Sequence, residues 1–299
     1  MKTLDLHIHS TYSDGTFSVE EIIKSAKSIG LTTISITDHD TIEQIPDCIS
    51  LGKKYGISVI PGVELSCSYK IKSLNKNKGF HLLGYGINPD NEVFKKEMDE
   101  QKKKRLIRAK KIADKFMALG FKIDFENTIA NKKGSVGKPQ IARAAFENPE
   151  NQSLLESENL TNYASFFAAY LSDTGKVFVE REEKIDFIDG IKLIHAAGGK
   201  AVWAHSYYNL RKFENQDSLF DELLQDFINA GLDGIETFYS TFSEEKTKHL
   251  YKIAKDKNLI MTAGSDFHSP DKEEAPELAC WKDYGLELYL DERLIQTLN

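Results

Sequence analysis

His7 and His9 stand two apart in the run Leu4-Asp-Leu-His-Ile-His9. In a strand, that spacing sends both side chains off one face, where they can converge on a single ion. Acids and further imidazoles recur along the chain: Asp14 in Ser-Asp-Gly, His39 between Asp38 and Asp40, Glu64 ending Pro-Gly-Val-Glu, His81, His205 after Ala204, and Asp266 two before His268. Imidazole with carboxylate is a borderline-hard donor set suited to Zn, Mn or Fe. The lack of cysteine among these residues points to a catalytic rather than a structural site. Taken singly, each has a bland role: Asp14 is an ordinary turn former, and Asp40 and Ser265 are candidate helix caps. Together, so many potential ligands are hard to ascribe to packing. His195 and His249 fall inside helical patterns and are read as structural. No G-x-S-x-G motif offers a covalent route.

For these residues to meet, the chain must bring the ends of several strands together. Residues 4–9, 33–37, 58–63 and 80–87 have strand character, with helices expected from Ser18 to Gly30 and over 44–55. The Ser18-Val-Glu-Glu21 run reads as a capping box. Strand alternating with helix argues for parallel βα units. From Glu92 to about residue 172 the pattern is helical with little strand signal. Strand character returns at 177–179, and the alternation resumes with strands at 200–205, 234–239 and 260–264. The expected fold class is therefore α/β, with seven principal strands and a mostly helical interruption. In a parallel α/β barrel the C-terminal strand ends share one rim, where active sites assemble.

The chain has 299 residues, 40% apolar and 28% charged, with a net charge of −7. Those values suit a globular protein that is a poor general nucleic-acid binder. There is no secretory pattern at the N-terminus, no apolar run long enough to span a membrane, and three cysteines without a C-x-x-C pair, so the sequence reads as cytoplasmic. The charge is uneven. Residues 95–143 hold 15 basic and six acidic side chains, a local +9 that leaves −16 elsewhere. Such a segment can draw an anionic ligand toward another part of the molecule.

In order, His7-Ile-His9, Asp14-Gly-Thr, Thr37-Asp-His39-Asp40, Pro61-Gly-Val-Glu64, His81, Ala204-His205 and Ser265-Asp266-Phe-His268 resemble the PHP (polymerase and histidinol phosphatase) superfamily of metal-dependent phosphoesterases. The resemblance implies a distorted (β/α)7 barrel from residues 1–90 and 176–299, with 91–175 as a helical insertion capping the substrate. It implies two or three divalent ions (Mn, Zn or Fe). One would be held by His7, His9, Glu64 and Asp266, and Glu64 would bridge to a second completed by His81 and His205. A third would take Asp14, His39 and His268. Asp38 or Asp40 would orient an imidazole. Glu64, His205 and Asp266 would serve catalysis, in which a metal-activated hydroxide attacks phosphorus.

Within the superfamily, the chain looks most like a subgroup acting on 3′,5′-nucleoside bisphosphates or on short RNAs and RNA 5′ ends. Gly137-Lys138-Pro139-Gln140-Ile141-Ala142-Arg143 resembles that subgroup's G-[RK]-P-H-I-A-R segment, with Gln140 where His is common. Lys138 and Arg143 thereby inherit a phosphate-binding role. Ser206-Tyr207-Tyr208 stands where Pro-Gly is usual after the histidine, and Arg211 is a candidate for a nearby family arginine. Tyr207, Tyr208 and Tyr239 are candidates to stack on a base. The expected partner is a small anionic phosphate ester, with no membrane and no obligate protein partner evident. Two other readings compete: histidinol-phosphate phosphatase, for whose cationic amine a basic cap has the wrong sign, and a non-catalytic PHP scaffold, which should have lost ligands.

Overall fold

Ser18 opens the first helix as its sequence predicts: its hydroxyl accepts from the Glu21 N–H, and Glu21 reaches back to the Ser18 N–H. The computed structural model describes residues 2–181 and 184–296. Nine strands are present among these residues. Three form a parallel sheet in the order β1-β2-β3: β1 (Leu4–Ile8), β2 (Thr33–Ile36) and β3 (Ser58–Val59). The other six are β4 (Gly62–Ile71), β5 (Lys76–Tyr85), β6 (Ile185–Asp186), β7 (Lys200–Trp203), β8 (Gly234–Tyr239) and β9 (Ile260–Gly264). Their order is β6-β4-β5-β7-β8-β9. Two isolated parallel bridges, Ile8 with Phe267 and His39 with Glu64, stitch the sheets together. Each bridge lies beside residues of the metal-ligand type.

The helices are α1 (Val19–Ser28), α2 (Ile45–Tyr55), α3 (Glu92–Ala118), α4 (Lys138–Phe146), α5 (Gln152–Ser157), α6 (Tyr163–Leu171), α7 (Phe187–Ala196), α8 (Ser206–Leu210), α9 (Gln216–Asn229), α10 (Glu244–Asp256) and α11 (Glu292–Ile295). Of the apolar residues that sequence spacing places on α3, Ala109, Ile112, Ala113 and Phe116 are buried, whereas Leu106 is half-buried and Met117 is exposed. Three of the buried four pack with Phe121, Ile141, Phe166 and Tyr170 in a core of their own. Two further cores lie against the sheets, one lined by Val63, Leu82, Trp203 and Phe227 and the other by Leu6, Ile34, Val202 and Ile260.

Three expectations are corrected. The parallel βα pattern breaks at β5, which runs antiparallel to both β4 and β7. Residues 72–75 join β4 to β5, too few for the crossover that a parallel pair needs. The expected strand at 58–63 is split at Pro61, which has no N–H to give to a ladder. Residues 177–179 are not a strand. Val177 is buried against the helices, and the N–H groups of Lys176 and Val177 donate to Ala169 and Tyr170 carbonyls at the end of α6. A donor used there cannot pair with a strand, and the neighbour of β4 on the side away from β5 is β6 instead. No helix among the described residues is long and apolar enough to cross a membrane.

Candidate active site

Glu64 sits at the centre of the cluster, fully buried on β4. Its Oε2 lies 3.2 Å from His7 Nε2, 3.1 Å from His9 Nε2 and 3.0 Å from His39 Nδ1. Its other oxygen, Oε1, faces His81 Nδ1 at 2.8 Å and His205 Nε2 at 3.0 Å. His81 and His205 are 3.2 Å apart through the same two nitrogens. Asp266 Oδ1 approaches His7 and His9 at 3.4 and 3.2 Å. Asp14 Oδ1 is 3.3 Å from His268 Nε2, and Asp14 Oδ2 is 3.9 Å from His39 Nε2. All nine residues singled out from the sequence therefore meet in one place. His195 pairs with Asp233 at 2.7 Å, and His249 is exposed on α10; neither joins the cluster.

Local backbone geometry aims several of these groups. His205 follows β7 with φ 28°, and Asp266 follows β9 with φ 56°. Positive φ at such residues is strained and persists only where surrounding contacts enforce it. At Asp266 the backbone N–H donates to His7 O, and at His205 it donates to Glu236 Oε2 at 2.7 Å. Gly264 makes the approach of β9 to β1 possible, because a Cβ there would lie 2.2 Å from the Cβ of His7.

The donor set calls for positive charge at its centre. His7 Nδ1 is 2.9 Å from Glu236 Oε1, so a ring proton belongs on that side and Nε2 is the nitrogen left to face Glu64. Among the described residues, His7 Nε2, His9 Nε2, His39 Nδ1, Glu64 Oε2 and Asp14 Oδ1 are buried without a hydrogen-bond partner. Nitrogen and carboxylate oxygen atoms held about 3 Å apart in a buried site need a proton or a metal cation between them. Three sets of donor atoms lie within 4.8 Å of one another: His7, His9, Glu64 and Asp266; His9, Asp14, His39 and His268; and His39, Glu64 and His81. Imidazole and carboxylate in this proportion fit a borderline divalent ion.

The protein's own charges already divide the titrations. Burial opposes ionisation of Glu64, yet His81, His7 and His39 hold its carboxyl well below the usual range. Burial likewise works against charge on His9, but Asp266 and Glu64 push its imidazole up to about 9. Burial, helped by neighbouring imidazoles, outweighs Glu64 at His39 and His81, both held below the ordinary imidazole value. Lys272 adds a cation that the sequence patterns did not mark: its Nζ lies 3.1 Å from Asp266 Oδ2 and 3.2 Å from His268 Nδ1.

Among the described residues, Asp40 makes no hydrogen bond to an imidazole, and Asp38 meets one only through Ser13, whose Oγ lies 3.4 Å from His9 Nδ1. Asp38 accepts from Ser10 N–H and from the Ser10 and Ser13 hydroxyls, which shapes the loop carrying Asp14. Asp40 accepts from Arg105 Nε at 2.7 Å and from an Arg181 nitrogen at 2.8 Å. The orienting role falls to Glu236, whose only sequence signal was its place inside a strand pattern.

A cavity of about 830 Å³ opens on the cluster at Asp14, His39 and His81. Its other walls carry Lys78, Arg105, Arg108, Lys138, Arg181 and Lys184. Lys138 thus shares the cavity that opens on the cluster, with its Nζ on the Leu171 carbonyl and over the Phe178 ring. Arg143 is elsewhere: it lines an adjoining cavity of about 400 Å³, stacks over Tyr163 and pairs with Glu147. Asp14 and Pro139 border both cavities. Of the three tyrosines, only Tyr208 lines the basic cavity. Tyr207 is stacked on Phe220, and the Tyr239 hydroxyl donates to Asp266 Oδ2. Arg211 lies over the Tyr208 ring at 3.6 Å.

The chain is similar to known proteins over most of its length. A family model described as the PHP domain matches residues 5–225. A 5′-3′ exoribonuclease of Haemophilus influenzae is 30% identical over 269 residues, covering 90% of this chain and 91% of that protein. A 3′,5′-nucleoside bisphosphate phosphatase of Chromobacterium violaceum is 27% identical over 271 residues, 90% of this chain and 88% of that one. The fold is shared with a solved Chromobacterium violaceum structure described as an amidohydrolase, at TM-score 0.80 and 24% identity, covering 99% and 97% of the two chains. The protein is accordingly a metal-dependent phosphoesterase. The sequence match spans most of the chain and the ligand-type residues converge in space, so the chain belongs to the PHP domain family.

Proposed function

We propose that the protein hydrolyses a phosphate ester of a nucleotide, either a 3′,5′-nucleoside bisphosphate or the 5′ end of a short RNA. The observation that carries this reading is the basic cavity opening directly onto the His/Asp/Glu cluster. A substrate with two phosphates can set one at the cluster and the other among the lysines and arginines, Lys138 included. The named activities of the Haemophilus and Chromobacterium relatives support the same substrate class.

In this reading His7, His9, Glu64 and Asp266 would hold one ion, Glu64 with His81 and His205 a second, and Asp14, His39 and His268 a third. Mn, Zn or Fe bound there supplies hydroxide at neutral pH and offsets charge on the leaving oxygen. Glu64 would serve two of these sets, because its two oxygens face different imidazoles. Tyr239 and Lys272 hold Asp266 Oδ2, which leaves Oδ1 turned to His7 and His9. One P–O ester bond breaks as the oxygen of water joins phosphorus, and the leaving alkoxide takes up a proton. Arg143 would meet only a part of the substrate that extends past Asp14 and Pro139 into the adjoining cavity. The bridged sheets are read as a distorted (β/α)7 barrel, and residues 91–175 as a helical insertion covering its mouth.

The test compares a 3′,5′-bisphosphonucleotide, a 5′-phosphorylated short RNA and histidinol phosphate on one manganese-loaded preparation. Either nucleotide substrate should exceed histidinol phosphate in kcat/KM, and Glu64→Gln should abolish turnover of all three. Faster hydrolysis of histidinol phosphate would reverse the assignment.

A further inference from the structure

The basic cavity does not end at the first ring of cations. A smaller groove of about 210 Å³ lies on the outside of α3 and shares Arg108, Glu180 and Arg181 with it. The two spaces are therefore neighbours across the same three side chains. Besides these, the outer groove is lined by Lys104, Ile107, Lys111 and Val179. Among the described residues it carries four cations against the single acid Glu180.

Helical geometry orders this charge. Lys104, Arg108 and Lys111 fall at i, i+4 and i+7, so they share one face of α3 and span about 10 Å along its axis. Arg105, on the adjacent face, points inward to Asp40. Arg181 uses the same carboxylate, so one acid faces two guanidinium groups. Arg108 is fixed at the junction by donating from Nε to the Val179 carbonyl at 2.9 Å. Burial and the neighbouring Arg181 and Arg105 pull the Arg108 guanidinium down to about 10, and burial with Arg181 and Arg108 pulls Lys184 down to about 8. Mutual repulsion of this kind is relieved by bound anions. Phe167, Phe178 and Tyr208 line the inner cavity. Aromatic faces interleaved with a basic groove are the surface that single-stranded nucleic acid uses, through stacking and phosphate contact.

We propose that the outer face of α3 (Lys104, Arg108 and Lys111) is an extension subsite for the downstream phosphates of a single-stranded oligonucleotide whose terminal ester lies at the cluster. The inference rests on the nucleotide reading above and narrows it: the substrate is a chain several nucleotides long. A mononucleotide bisphosphate fills the inner cavity alone. Arg108 serves both spaces and carries the backbone from one to the other.

The test measures kcat/KM on a 5′-phosphorylated dinucleotide, tetranucleotide and octanucleotide RNA across a salt series, with the wild-type protein and the Lys104→Ala/Lys111→Ala variant. The wild-type value should rise with length. In the variant the octanucleotide-to-dinucleotide ratio should fall roughly tenfold. The slope of log kcat/KM against log salt for the octanucleotide should become shallower by about 1.4, at about 0.7 for each phosphate contact removed from a single strand. A flat length dependence, or a variant with the wild-type ratio and slope, overturns the extension subsite while dinucleotide turnover leaves the nucleotide reading intact. Failure of the wild-type protein on every RNA and on the bisphosphonucleotide takes both readings down.

Discussion

At the scale of single residues, the molecule turns on what holds His7. Its Nδ1 is committed to Glu236, and Glu236 also accepts from the His205 backbone, so one carboxylate orients groups on both oxygens of Glu64. A carboxylate behind a metal-binding imidazole fixes the tautomer and raises ligand basicity. Glu236→Gln should weaken divalent-ion affinity by about 10- to 100-fold, read by metal titration against a competing chelator. Proton linkage gives a second prediction. The His9 imidazole titrates near 9 here against 6.5 ordinarily. Its contribution to stability is fully present below about 6.5 and is lost as pH rises through about 9. An ion taking the Nε2 lone pair must displace that proton. Manganese titrations near pH 7.5 in two buffers of different ionisation heat should therefore report proton release, and equal heats would contradict it.

Among the elements, the approach of β9 to β1 matters most. Gly264 is packed so that a Cβ would meet the Cβ of His7 at 2.2 Å and Glu236 Oε1 at 2.5 Å. Gly264→Ala must push the two strands apart or displace the Glu236–His7 contact. It should cost about 1–3 kcal/mol in urea unfolding and weaken metal binding as well. The βα alternation of residues 1–60 was legible because periodicity and capping are local properties, as the Ser18–Glu21 box illustrates. The direction of β5 was not, since strand periodicity is the same in parallel and antiparallel ladders.

For the whole molecule, the helical stretch 91–175 and the cluster are tied together through Asp40. Arg105 from α3 and Arg181 beyond α6 converge on its buried carboxylate, and the Ser135 hydroxyl donates to the His39 carbonyl next door. Burial opposes ionisation of Asp40, but Arg181 and Arg105 hold its carboxyl well below the usual range. This contribution is present above the ordinary carboxylate value and is lost as pH falls below it. Asp40→Ala leaves two buried guanidinium groups without their acid. It should destabilise the protein by about 3–5 kcal/mol in urea melts. The +9 stretch thus does more than coat a helix: Arg105, Arg108 and Lys138 bring its charge to the edge of the cluster.

The sequence by itself determined which residue types are available for the chemistry and the order of strands that carries them, from His7 to His268. Residue type sets ligand chemistry, and hydrophobic period sets local structure; both are written within a few positions. Only the tertiary structure decided the pairings between distant positions. Glu236 stands behind His7 from 229 residues away, and Lys272 beside Asp266 had no motif to mark it. The separation of Lys138 from Arg143 by Pro139 is likewise a matter of which side of α4 faces which cavity. A motif seven residues long contains no such information. Side-chain partners are selected by distance and charge in the folded chain, where the strand ends impose an arrangement that the linear order leaves open.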